Sequence, residues 1–441
     1  MRFRTTLRPF SGLLSGTSSV GSGVLAAGLF TYLFLSLSGR VLGASGFAPV
    51  STLWAMVFIV GPGLFMPVQQ ELGRVIAGQR GERGGSNAVG KIALITSGFA
   101  VFIIAFTLAA APWITEQLLG GSWALLWCFE GAVVAYALMF VVRGIFSGLG
   151  DYRNFGRLVA IESFARLVIG AVVTLLGARS AIAFGLAIAL APIISAAAVT
   201  RLGSKVRLRS GPHVSWRQVT KAMGWLVLGS VMAQFLANAG PLAVQLLTPS
   251  TQENRTGVFL SALVVARLSL YLFQAVQATL LPNLAELLAT GRIAELRQAL
   301  RRLMVVGAVL VAVTALGGLF LGPFAVRLLF GSAFSVSGAT MAALAGASGI
   351  YVLASTMSAV AIASSGYRLN ALSWFVGCLA FTAGILFSDD LFVRVELGYL
   401  CGSCATAAVF LIGLPVQLRH YRAITRAVSN TSTDDRSMPT S

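Results

Sequence analysis

Twelve apolar runs of about 20 residues recur along the chain, separated by short polar breaks. They fall near 18–38, 46–68, 92–113, 122–143, 159–178, 181–200, 222–247, 256–281, 303–326, 338–363, 370–388 and 396–418. A helix rising 1.5 Å per residue needs about 20 residues to cross the roughly 30 Å hydrocarbon core of a bilayer. The pattern therefore predicts an all-α polytopic membrane protein with about twelve transmembrane helices. The first run follows a basic N-terminus. It is too long for a signal peptide and precedes many further spans, so it reads as an uncleaved first helix. Gly61-Pro62-Gly63 and Pro67 interrupt the second run, and Pro192 and Pro241 lie inside the sixth and seventh. Proline removes an intrahelical hydrogen bond, so bends are expected at these places.

The break at 201–221 holds six basic residues with Pro212 and His213, and it divides the runs into two groups of six. This predicts an N-terminal lobe over 1–200, a basic linker, a C-terminal lobe over 222–426, and a Ser/Thr-rich tail over 427–441 that reads as disordered. The two groups echo one another. Leu64-Phe65-x-x-Val68-Gln69 recurs as Leu272-Phe273-x-x-Val276-Gln277, Gly21-Ser22 as Gly229-Ser230, and Tyr152-Arg153 as Tyr367-Arg368. Each echo keeps its order and its side of the membrane. A parallel repeat of this kind encloses a central cleft, which rocking of the lobes opens to either side in turn.

Charge settles the orientation. Of 32 basic residues, 25 fall in alternate breaks or in the terminal segments, and only Arg40, Arg179, Arg255, Arg327 and Arg394 fall in the others. Positive loops stay cytoplasmic. Both termini are therefore expected inside a cell membrane, and the net charge of +18 is a topology signal, with no call for nucleic acid. It also favours anionic membrane lipids on the inner leaflet. Composition agrees: 57% of the chain is hydrophobic and 10% charged, against about a quarter charged in a soluble domain.

Little in the sequence suggests catalysis or a cofactor. Both histidines, His213 and His420, lie in the basic segments, and no HExxH, GxSxG or nucleotide-binding glycine loop is present. Cys401 and Cys404 have CxxC spacing, but with no histidine nearby they read as part of a small-residue stretch for helix packing. The polar residues inside apolar runs say more. Arg267, placed near the middle of the eighth span, needs a wet or paired environment. Arg267, Tyr271, Gln274 and Gln277 fall on one helical stripe, and Gln234, Asn238, Pro241 and Gln245 form another on the seventh span. Two such stripes read either as a wall of a hydrated cavity or as a hydrogen-bonded seam within one lobe. Glu130, the only acid deep within a run, reads as a proton carrier or as the partner of a buried arginine. Arg143 and Arg166, with Glu162, read as cavity groups or as an interfacial salt-bridge cluster. The stretch Asn283 to Arg302 has the pattern of a surface amphipathic helix.

Three stretches resemble one family. They are Val142-Arg143-Gly144-Ile145-Phe146-Ser147-Gly148-Leu149-Gly150-Asp151-Tyr152-Arg153; Ala266-Arg267-Leu268 through Phe273-Gln274-Ala275-Val276-Gln277 with Leu281-Pro282 and Leu284; and Asn238-Ala239-Gly240-Pro241. They are similar to segments of the multidrug/oligosaccharidyl-lipid/polysaccharide (MOP) flippase superfamily, in its prokaryotic polysaccharide-biosynthesis branch and in an actinobacterial style. The resemblance implies a MATE-like fold and a flippase for a polyprenyl-phosphate-linked glycan. A cationic cavity would hold the phosphate-sugar head, and Arg267, Arg143 and Arg166 are the residues that would meet it. It also implies a monomer working beside glycosyltransferases or a polymerase of the same pathway. Many members carry an acid near Asn238, where this chain has none. Two other readings stay open: a cation-coupled exporter of drugs or metabolites on the same fold, and a non-transporting scaffold for a glycosyltransferase complex.

Overall fold

The computed structural model describes residues 10–78, 86–201, 216, 223–248, 253–268, 287 and 292–434, and no strand occurs among them. The helices are α1 (Phe10–Val60), a π-helical turn (Gly61–Phe65), α2 (Met66–Gly78), α3 (Ser86–Ala109), α4 (Ala111–Leu118), α5 (Trp123–Leu149), α6 (Tyr152–Leu175) and α7 (Ala181–Arg201). The second half supplies α8 (Met223–Leu247), α9 (Glu253–Ala266), α10 (Ile293–Phe330), α11 (Gly338–Ala363), α12 (Tyr367–Gly384) and α13 (Leu391–Asp434).

The first two predicted spans are joined. Gly21–Gly78 is one apolar helical stretch of 58 residues, about 87 Å if straight. It cannot lie in a bilayer unbent. Gly43 breaks it at φ 69° and ψ −179°, a left-handed backbone that glycine alone adopts freely. The predicted bend at Gly61-Pro62-Gly63 is the π-turn, where the missing proline N–H loosens the helical register. Ten described stretches are long and apolar enough to span, this double one included; α9 contributes a shorter apolar helix, Arg255–Ala266.

Local caps place the other ends. Ser122 accepts the Leu125 N–H to start α5, and Asp151 accepts the Asn154 N–H to start α6 directly after Gly150 ends α5. The Gly-Asp-Tyr-Arg word is therefore a tight helix–helix turn. The helix breaks at Ala110 and Pro112 sits in the first turn of α4, so α3 ends four residues before the end of the third run and begins six before its start. Helix α13 continues to Asp434, through most of the stretch read as a disordered tail. Its continuation Arg422-Ala423-Ile424-Thr425-Arg426-Ala427 holds good helix formers, and no glycine or proline follows until Pro439. Nearly all of the basic linker lies outside the described residues; of the predicted amphipathic stretch, 287 and 292–302 are described, and 293–302 form the start of α10.

The two halves pair their helices in the same order. Helix α1 packs on α6, α6 on α7, α5 on α7 and α3 on α5; correspondingly α8 packs on α12, α12 on α13, α11 on α13 and α10 on α11. Helices α3 and α10 lie outermost. Only 22% and 17% of their most apolar windows are buried, against 67% for α11. Val306, Val309, Val313, Leu316, Phe320 and Phe324 share one exposed face of α10, the surface expected of a helix whose outer face meets lipid.

Candidate functional site

A cavity of about 280 Å3 lies between the halves, walled by α1, α5 and α6 on one side and by α8, α9 and α11 on the other. Three arginines reach it, Arg143 from α5, Arg166 from α6 and Arg267 just beyond α9, against a single glutamate, Glu162. Arg143 and Arg166 come from consecutive helices and Arg267 from the other half of the chain, and a charge there needs partners or water because the surrounding runs are apolar.

The arginines differ in how they are satisfied. Arg166 is 1% exposed. It pairs with Glu162 one turn earlier on α6, donates to Tyr136 Oη at 3.0 Å, and lies 4.6 Å over the Trp54 ring. Tyr136 in turn donates to Glu162 Oε1 at 2.8 Å. This closed network holds the Arg166 charge already matched. Arg143 has no ion pair among the described residues. Its guanidinium carbon lies 4.7 Å and 5.1 Å from the Phe140 and Phe155 ring centroids, aromatic faces that tolerate a cation without neutralising it. Arg267 donates to Asn238 Oδ1 at 3.4 Å and to the Ala237 carbonyl, and also lacks an acid among the described residues. Asn238 is oriented for this by its own amide, which donates to the Gln234 carbonyl at 2.9 Å. Two positive charges therefore remain open to an anion.

Of the predicted site residues, Arg143, Arg166, Arg267, Asn238 and Gln234 meet at this cavity, together with Pro241. Arg267 follows the last residue of α9 in a turn and so sits at the end of the described helix, where the sequence pattern had it mid-span. Gln245 lies two turns from Asn238 along α8 and does not line the cavity; its Oε1 has no partner among the described residues. Tyr271, Gln274 and Gln277 lie outside the described residues. Glu130 is also away from the cavity. Its Oε1 accepts from Thr107 on α3 at 2.6 Å, so its neighbour is a threonine and no arginine pairs with it among the described residues. Glu396, at the start of the twelfth run on α13, has a buried oxygen with no hydrogen-bond partner among the described residues. Trp54, Phe58, Tyr136 and Tyr351 line the cavity without having stood out in the sequence. Aromatic residues inside apolar runs have no signal that separates cavity wall from core.

A seam joins α1 to the end of α10 across the two halves. Arg40 donates through Nε to the Leu329 carbonyl at 2.6 Å and also binds the Leu328 carbonyl, while Ser36 donates to Leu329. These are the last carbonyls of α10, which lack intrahelical partners and carry the negative end of the helix dipole. Phe47 packs on Phe330 with centroids 5.5 Å apart. Beside them Gly257 meets the Ala44 carbonyl so closely that any Cβ there would overlap it. Gly257→Val is expected to hold this seam apart. In a background without the four native cysteines, a Ser36→Cys thiol should then react several-fold faster with a membrane-impermeant maleimide. Equal rates with and without Gly257→Val would mean that the contact does not govern the seam.

Several solved structures share this architecture. An inward-facing multidrug-resistance MATE family transporter of the MOP superfamily matches with a TM-score of 0.70 and 15% identity, covering 90% of this chain and 96% of that one. An outward-facing structure of such a transporter matches with a TM-score of 0.68 and 14% identity, over 95% and 100% of the two chains. A MATE transporter of Vibrio cholerae matches at 0.64 and 16%, over 92% and 98%. Among curated proteins, two uncharacterized proteins of Mycobacterium tuberculosis are each 22% identical. One aligns over 426 residues, 90% of this chain and 91% of its own length, and the other over 430 residues, 93% and 94%. No family model matches the chain. The structural likeness gives the fold, that of MATE transporters of the MOP superfamily.

Proposed function

We propose that this chain is a flippase, carrying a polyprenyl-phosphate-linked sugar or oligosaccharide across the cytoplasmic membrane by alternating access for cell-envelope polysaccharide synthesis. The observation that carries the reading is the charge of the cavity: three arginines against one glutamate, with Arg143 and Arg267 unpaired by any described acid. Arginine's forked donors suit a phosphate. Gln234 and Asn238 beside Arg267 offer the amide groups that sugar hydroxyls need, and the stacked Trp54 and Phe58 rings, 4.3 Å apart, offer an apolar face. The lipid tail would remain in the bilayer. A cationic drug would meet repulsion in the same cavity, and Glu130, the residue considered for proton coupling, stands outside it.

In this reading the basic loops face the cytoplasm, the seam at Arg40 is the outer gate, and the head group enters from the basic end. The chain works as a monomer, handing its cargo between glycosyltransferases on one face and a polymerase on the other.

The test is thermal stabilisation of the purified protein by short-chain polyprenyl-phosphate sugars, with Arg267→Ala beside it. A ligand bound to the folded state must raise its stability. The expected result is a shift in the wild type that largely vanishes in the variant. A shift with cationic drugs and none with any lipid carrier would replace this reading with a cation-coupled exporter. No shift with either class would favour a scaffold.

A further inference from the structure

A second cavity, of about 480 Å3, opens between α10, α11 and α13 and shares no lining residue with the first. Its volume lies within the range of about 300–1,000 Å3 typical of small-molecule sites. Its floor is apolar and soft: Met304, Met357, Phe410, Leu414 and Leu418. Methionine and leucine of this kind adapt to flexible hydrocarbon. Two arginines stand on its rim, Arg301 of α10 and Arg419 of α13. Both are exposed, and neither forms an ion pair among the described residues.

Their depth is informative. Arg301 and Arg302 immediately precede the long apolar run of α10, and Arg419 follows the mostly apolar stretch Leu411–Leu418 of α13. Both arginines therefore sit where hydrocarbon gives way to the polar layer at the basic end of the protein, with the apolar cavity on the hydrocarbon side. Two like charges are held on the rim of one groove without a counter-ion among the described residues. The chemistry that satisfies the whole arrangement has an anionic head and a hydrocarbon tail.

We infer that this groove is a binding site for an anionic phospholipid from the leaflet at the basic end. The phosphate is held by the guanidinium groups of Arg301 and Arg419, as their forked donors allow, and an acyl chain lies on Met304, Met357 and Phe410. The bound lipid ties α10, the outermost helix of its half, to α11 and α13. The site is independent of the substrate assigned to the central cavity.

The experiment uses the full chain, delipidated in a neutral detergent. Phosphatidylglycerol, phosphatidylcholine with the same acyl chains, and glycerol phosphate without chains are each added, and the melting temperature is read. Phosphatidylglycerol is expected to raise it by several degrees, and the other two to leave it nearly unchanged. The Arg301→Gln/Arg419→Gln double variant removes two exposed side chains and should keep the lipid-free melting temperature while losing most of that rise. Native mass spectrometry supplies a second reading: one tightly held phosphatidylglycerol on the wild type and none on the variant. Equal shifts with phosphatidylcholine would overturn the proposal, as would a phosphatidylglycerol shift that survives in the variant. A full shift with glycerol phosphate alone would reduce the site to an anion site with no place for lipid.

Discussion

Replacing both Arg143 and Arg267 by alanine is expected to lower the flux of a fluorescent polyprenyl-phosphate sugar in proteoliposomes by about a hundredfold or more. A hydrogen bond to a charged group is worth about 1.5–3 kcal/mol, and each 1.4 kcal/mol is about tenfold in binding. Loss of two such contacts to one phosphate gives that scale even if they are not fully additive. Folding should be spared, because neither arginine has an acid partner among the described residues and no buried carboxylate is stranded by its removal. The melting temperature of the double variant should stay within a few degrees of wild type. Arg143→Lys and Arg267→Lys should each retain part of the flux, since the charge remains while the forked geometry is lost. A well-folded double alanine variant with undiminished flux would remove these two residues from substrate handling.

The largest expected effect on stability belongs to Arg166→Met. Arg166 is buried against Glu162, Tyr136 and Trp54. Deleting one member of a buried ion pair costs about 3–5 kcal/mol, because the other charge is left without a partner in a poor solvent. Glu162→Gln alone should be damaging for the same reason. The Arg166→Met/Glu162→Gln double variant should recover much of the loss, since buried pairs exchanged for neutral groups of similar volume are often tolerated. Tyr136→Phe removes one hydroxyl bridge and should cost about 1 kcal/mol. The cycle is read from denaturation in detergent or mixed micelles. Strict additivity of the two single changes would mean that the pair is not coupled.

The two predictions separate residues that look alike in the chain. Arg143, Arg166 and Arg267 are each an arginine in or beside an apolar run, and burial cost alone marks all three as unusual. What distinguishes them is the neighbour that folding supplies. Glu162 is one turn from Arg166 on the same helix, so that pair could be read from spacing. Nothing near Arg143 in sequence says that its guanidinium will rest on Phe140 and Phe155 with no acid opposite it. Glu130 looks from the sequence like the natural partner of a buried arginine, but the packing of α3 on α5 turns it toward Thr107.

The sequence by itself determined the all-helical, many-span membrane class and the position of most spans. These follow from hydropathy, a property of consecutive residues acting against a solvent of fixed thickness. It also picked out Gln234, Asn238, Arg143, Arg166 and Arg267, because a polar group in an apolar run is conspicuous without any structure. Only the tertiary structure decided that these five share one cavity, that Gln245 and Glu130 stand outside it, that Trp54 and Tyr136 belong to its wall, and that Arg40 binds the last carbonyls of α10. Helical periodicity fixes which residues share a face of one helix. Which faces meet depends on packing between segments as far apart as Arg40 and Leu329, and no local pattern encodes that choice.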